Sequence, residues 1–231
     1  MVLHCVGESS APVPSLSADE NPLRCLLRWP KLQRLEIDET RSDDVYEGGS
    51  NLPPLLAQLS PTSLPVLKVL TLSINTPARL LILERILSYR QITHLDLICD
   101  LRSADEMDRV EAAIRGIAGR LKSLGFLDEE FREQSVLTFY PLLVRCEELS
   151  LQLFNSESTA VVPLPKPTQL PSLRTITAYG MTRDRLDLLK PFVLERKTPL
   201  ETLRIDLNEE DYEDSDLWKV CDSVGTELSG A

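Results

Sequence analysis

Little in these 231 residues points to chemistry at a single centre. The five cysteines, Cys5, Cys25, Cys99, Cys146 and Cys221, are spread along the chain without a close pair. Neither a disulfide framework nor a zinc ligand set is therefore expected, and a reducing compartment suits them better. Histidine is scarcer still: only His4 and His94 occur, and the adjacent carboxylates Asp43-Asp44 and Glu129-Glu130 are of the kind usual in polar loops. No metal or cofactor is expected. Glycosylation acceptors are lacking too, because Asn75-Thr76 runs into Pro77 and Asn155-Ser156 into Glu157, which argues against secretion. No apolar run reaches the roughly 18 residues that a membrane span requires. The start, residues 1–8, is too short and polar for a signal peptide. Positive charge is also in deficit, with 25 Lys and Arg against 36 Asp and Glu for a net charge of −11. Such a surface repels phosphate backbones and anionic lipid, so nucleic acid and membranes are not expected partners. These absences together describe a soluble protein, cytoplasmic or nuclear.

What the chain has is leucine in a repeated phrase. With 42% hydrophobic residues it holds enough apolar material for a sizeable core. Residues 200–207 read Leu-Glu-Thr-Leu-Arg-Ile-Asp-Leu, with apolar residues at positions one, four and six, the cadence of a leucine-rich repeat. The same phrase starts at Leu32, Leu67, Ile92, Leu121, Cys146, Leu173 and Leu200, at successive intervals of 35, 25, 29, 25, 27 and 27 residues. All but the first lie within the period of about 20 to 29 residues known for such repeats. The first is lengthened by a polar stretch, residues 38–50, that reads as an exposed loop.

Between the phrases lie helix signals. Residues 77–89 carry Leu80, Leu83, Ile86 and Leu87 on one helical face. Ser103-x-x-Glu106 has the form of a capping box before Met107, Val110, Ile114 and Ile117, with Gly116 and Gly119 closing that helix. Shorter helices are expected at residues 53–59, at 129–144 with a break at Pro141, and at 183–197 with a kink at Pro191. The prolines of residues 161–171 suggest an extended crossover. A closing helix capped by Ser215 would carry Leu217, Val220, Cys221, Val224 and Leu228. Residues 1–22, rich in Ser, Pro and Ala, read as a disordered leader. The expected fold class is α/β: a leucine-rich-repeat solenoid of about seven repeats over residues 23–231, with one curved parallel sheet and irregular helices on the convex side.

Along each strand, positions four and six point inward while three, five and seven face solvent. Position three is then Arg34, Val69, His94, Ser123, Glu148, Thr175 and Thr202, and position five is Glu36, Thr71, Asp96, Gly125, Ser150, Thr177 and Arg204. Position seven is Asp38, Ser73, Ile98, Leu127, Gln152, Tyr179 and Asp206. This polar face is the candidate protein-binding surface. Position nine, often Asn in such repeats, holds Asn75, Asp100 and Asn208, whereas Thr40, Glu129 and Met181 depart from it.

Units such as Leu26-Leu27-Arg28-Trp29-Pro30-Lys31-Leu32-Gln33-Arg34-Leu35-Glu36-Ile37 and Leu170-Pro171-Ser172-Leu173-Arg174-Thr175-Ile176 resemble the leucine-rich-repeat region of fungal F-box proteins. In that family the repeats select a protein for a cullin-type ubiquitin ligase, while the F-box docks on the ligase adaptor. The resemblance implies a non-catalytic interaction module, possible as a ligase's substrate-recognition arm. No Leu-Pro-rich paired-helix segment precedes Leu23, so no adaptor-contacting residue is carried over. Alternatives are a regulator of a small GTPase and a truncated relative acting only as a scaffold. A monomer that binds a protein partner is expected. A Ser123-His94-Asp96 constellation on neighbouring strands is weighed and set aside, because an open sheet face offers neither oxyanion donors nor a pocket that excludes water. The acidic run at residues 209–216 could steer a basic partner, but reads first as a solvated loop leading into a helix.

Overall fold

The computed structural model describes residues 2–6, 31–38, 64–88, 91–99, 103–128, 139–152, 165–166, 168–181, 189, 192–193, 195–207 and 227–228. They form two compact units, Met1–Ile117 and Ala118–Ala231. The sequence groups residues 23–231 as a single array, but elements that contact mainly their sequence neighbours divide readily into blocks. Parallel strands predominate in both units, and both described α-helices lie in the first.

The first unit contains β1 (Val2–Val6), β2 (Arg34–Asp38), β3 (Val69–Ile74), helix α1 (Pro77–Leu87), β4 (His94–Cys99) and helix α2 (Ala104–Arg115). Strands β2, β3 and β4 are parallel neighbours in that order. The second unit holds β5 (Ser123–Asp128), β6 (Glu148–Gln152), β7 (Thr175–Met181), β8 (Thr202–Leu207) and the two-residue β9 (Glu227–Leu228), each parallel to the next.

Every strand from β2 to β8 begins two residues after the first apolar position of its phrase. The phrase sets the register as well. In the first unit Leu35 pairs with Leu70 and Leu70 with Leu95, and Ile37 with Leu72 and Leu72 with Leu97. In the second, Leu124, Leu149, Ile176 and Leu203 form one row, and Phe126, Leu151, Ala178 and Ile205 another. All of these side chains are buried. A slip of one residue would turn each row outward, which is what locks the register.

The approach to each strand repeats too. In the first unit, Gln33 O accepts from Lys68 N at 2.9 Å and Val69 N at 3.1 Å, and Lys68 O accepts from Thr93 N and His94 N. In the second, Lys122 O, Glu147 O and Arg174 O each take the same pair of donors from the following phrase. One position further back is shared as well: the position-one N–H of Leu67, Leu121, Cys146 and Leu173 donates to the carbonyl three residues earlier, on Leu64, Ala118, Leu143 and Leu170. Those four residues are fully buried, so these four phrases carry an apolar anchor ahead of their first position.

Helix α1 starts with Thr76 at the N-cap and Pro77 in its first turn, where proline's missing N–H costs nothing. It buries Leu80, Ile82, Leu83, Ile86 and Leu87 and packs on β3 and α2. Helix α2 has Ser103 at its N-cap, Asp105 and Glu106 in the first turn and Arg115 in the last, a polarity that complements the helix dipole. Met107, Val110 and Ile114 form its buried stripe, continued by Ile117. The Ser103 side chain makes no capping hydrogen bond, so the capping box exists in sequence position and not in bonding. Between the helices Arg109 Nε and Nη2 donate to Glu84 Oε1 and Oε2, both at 2.8 Å.

Several expectations are corrected. Val2–Val6, assigned to a disordered leader, is a strand antiparallel to β2 that pairs residue for residue from Val2 with Asp38 to Val6 with Arg34. Its residues meet backbone partners far along the chain, which a local reading of composition cannot register. Leu228, assigned to the closing helix, lies in β9 beside Ile205. The helix expected up to Lys197 gives way to turn and bend by residues 195–198, and Pro141 sits in a 3-10 turn, Tyr140–Leu142. The proline-rich crossover turns at residues 168–169 and 171–172. The stretches at 7–22, 39–50, 53–59 and 209–216, position-nine residues Thr40, Asp100, Glu129 and Asn208, and Cys25 and Cys221 lie outside the described residues.

Candidate protein-binding face

Positions three, five and seven share the outward side of each sheet, because every buried row alternates with them. In the first unit, register places Arg34, Val69 and His94 in one row, Glu36, Thr71 and Asp96 in the next, and Ser73 beside Ile98. Arg34 Nη2 lies 3.6 Å from Glu36 Oε2, both side chains being open to solvent. Surrounding protein raises the Asp96 carboxyl above its usual value, while Arg34 pulls it back and Glu36 adds to the rise. Asp96 is nevertheless solvent-exposed, so water screens much of this effect.

In the second unit the rows are Ser123, Glu148, Thr175 and Thr202, then Gly125, Ser150, Thr177 and Arg204, then Gln152 and Tyr179. Gly125 is buried, while Tyr179 is 37% exposed, a large amphipathic ring on an otherwise hydroxyl-rich surface. Asp38, Gln152 and Asp206 have their backbones in β2, β6 and β8; their side chains are outside the described residues. At the strand entrances Lys122, Glu147, Arg174 and Glu201 alternate in sign, and Arg174 Nη1 donates to Glu201 Oε1 at 2.8 Å. Strand β7 departs from its neighbours: its pairing with β8 shifts register between Ala178 and Met181, at the phrase whose position nine is Met181.

The Ser-His-Asp candidates fall in different units. His94 and Asp96 are two apart on β4 of the first unit and Ser123 is on β5 of the second. His94 Nδ1, which a triad directs to its carboxylate, lies 2.9 Å from Thr93 Oγ1. Among the described residues no group of three His, Cys, Asp or Glu could hold a metal ion, and no helix is long and apolar enough to cross a membrane. Cys99 and Cys146 are buried and joined in no disulfide. Burial pushes Cys146 up to about 12, and its thiol donates to Glu148 O at 3.0 Å.

Three residues that support the face escape the repeat pattern. Arg79, only 8% exposed, donates Nη1 to Ser73 O at 2.9 Å and so satisfies the end of β3. Its one sequence signal is a cation in the first turn of a helix, where the dipole disfavours it. Arg196 is buried, donates Nη2 to Leu170 O at 2.8 Å and Leu173 O at 3.1 Å, and stacks over Phe192 at 5.2 Å. It thereby holds the turn entering β7. Burial without a carboxylate partner lowers its affinity for its proton, and Nη1 has no hydrogen-bond partner. Tyr140 is fully buried in an edge-to-face chain with Phe139 and Phe126, and its hydroxyl is also unpartnered.

Compared with protein-family models, curated proteins and solved structures, this chain matches none of them.

Proposed function

We propose that the chain is a leucine-rich-repeat solenoid serving as a non-catalytic protein-interaction module, and that a protein partner binds the outward sheet face. The observation that carries this reading is the in-register stacking of positions four and six within each unit. It commits the leucines to the core and turns the intervening polar rows to the opposite side of the sheet. Solenoids use such extended surfaces for binding. Cys99 and Cys146, buried and joined in no disulfide, fit a reducing compartment, cytoplasmic or nuclear. Photo-cross-linkers placed at Thr71 and Thr177, and at exposed Leu81 on α1 as a control, test the reading in cell extract. Partner adducts from the two sheet positions and not from Leu81 are expected. Adducts from Leu81 alone would place the binding surface elsewhere. A substrate-recognition arm of a ubiquitin ligase is the finer reading taken from the F-box resemblance. It requires the ligase adaptor to co-purify with the chain, and its absence from the purified complex would remove that role and leave the interaction module.

A further inference from the structure

The outward sheet face of the first unit is a trough. Its floor is β3, where Thr71 and Ser73 are short and half-buried, and its walls are longer side chains on β2 and β4. Glu36, Thr71 and Asp96 are register partners. Two carboxylates therefore rise from opposite walls at one level, their backbones about 9.6 Å apart by two strand spacings. Arg34 stays 3.6 Å from Glu36, beyond the roughly 2.7–2.9 Å of a charge-assisted hydrogen bond. It also draws the Asp96 carboxyl down, and the two carboxylates outnumber this one cation. Two residues further along β4, Ile98 stands 37% exposed beside Ser73, an apolar wall at the end of a polar channel.

We propose that this trough binds an extended segment of a partner protein along β3, seating an Arg or Lys over Thr71 between Glu36 and Asp96 and an aliphatic side chain two residues away against Ile98. The inference rests on the reading of the sheet face as the binding surface and names the partner's chemistry. Charge and spacing both fit. A guanidinium offers donors to carboxylates on both sides and relieves the repulsion between Glu36 and Asp96 that contributes to the raised Asp96 carboxyl. Alternate residues of an extended chain repeat about every 6.6–6.8 Å, the same rise that separates Asp96 from Ile98 on β4.

The test uses the full chain and the capped peptide Ser-Thr-Arg-Thr-Val-Thr-Ser labelled for fluorescence anisotropy. Companion peptides replace Arg with Glu or Val with Ser. The Arg peptide is expected to bind, and the E36Q/D96N double variant to weaken it about tenfold or more. The D105N/D108N pair, which removes two exposed carboxylates from α2, controls for general attraction to an acidic protein and is expected to stay within about twofold. I98S weakens the Val peptide and leaves the Ser peptide unchanged, while E36K/D96K transfers preference to the Glu peptide. Equal losses in both carboxylate pairs, no effect of E36Q/D96N, or no binding of the Arg peptide would overturn the proposal. A cellular partner cross-linked through Thr71 whose capture is indifferent to E36Q/D96N would overturn it too, while leaving the sheet-face reading standing.

Discussion

A buried hydroxyl with no partner forfeits its hydrogen bonds to water and gains nothing in return, a cost of about 1–3 kcal/mol. Tyr140 is in that position while its ring is well packed against Phe139. Tyr140→Phe is therefore expected to stabilise the protein, by about 1 kcal/mol, in chemical denaturation. A loss of stability would mean that the hydroxyl has an acceptor. Asp96 gives a pH-dependent case. Its folded carboxyl is raised above the ordinary 3.8, so the folded state favours the proton, and that contribution is fully present below 3.8 and lost as pH rises through the folded value. Asp96→Asn should thus raise Tm at neutral pH, and the gain should shrink as the medium is acidified below the folded value. A gain independent of pH would show that the carboxyl is unperturbed.

At the scale of elements, the repeat phrase was readable because its information is local. Alternation fixes which side chains face inward, and the first leucine places the strand two residues on. Helix α2 was equally readable, since Met107, Val110, Ile114 and Ile117 follow a helical period and all are buried. The capping box was half right. Ser103 occupies the N-cap without a side-chain hydrogen bond, so Ser103→Ala should cost less than about 0.5 kcal/mol, below the roughly 1 kcal/mol of a bonded cap. A thermal melt showing the larger loss would restore the bonded cap. What local pattern could not reveal were features made by distant partners. Strand β1 becomes a strand by pairing with β2, 28 to 36 residues away in sequence. Arg196 finds its acceptors 26 and 23 residues back, at Leu170 and Leu173; from sequence it is one more cation near a helix end. The outward face was legible as a list of residues, but its trough was not, because depth comes from comparing side-chain lengths across three registered strands.

Over the whole molecule, two units built from one phrase rest on a single division of labour. Positions four and six supply cohesion, and positions three, five and seven supply the opposite face of the sheet, which we propose is the surface for recognition. The apolar anchors Leu64, Ala118, Leu143 and Leu170 extend that rule to the turns entering β3, β5, β6 and β7. An alanine scan by urea denaturation, two adjacent positions per strand, tests this most directly. Leu70→Ala and Leu203→Ala are expected to cost about 2–5 kcal/mol through the cavities they leave, and Thr71→Ala and Thr202→Ala to stay within about 0.5 kcal/mol. Equal costs at the two positions, or the larger cost at the threonines, would contradict the account.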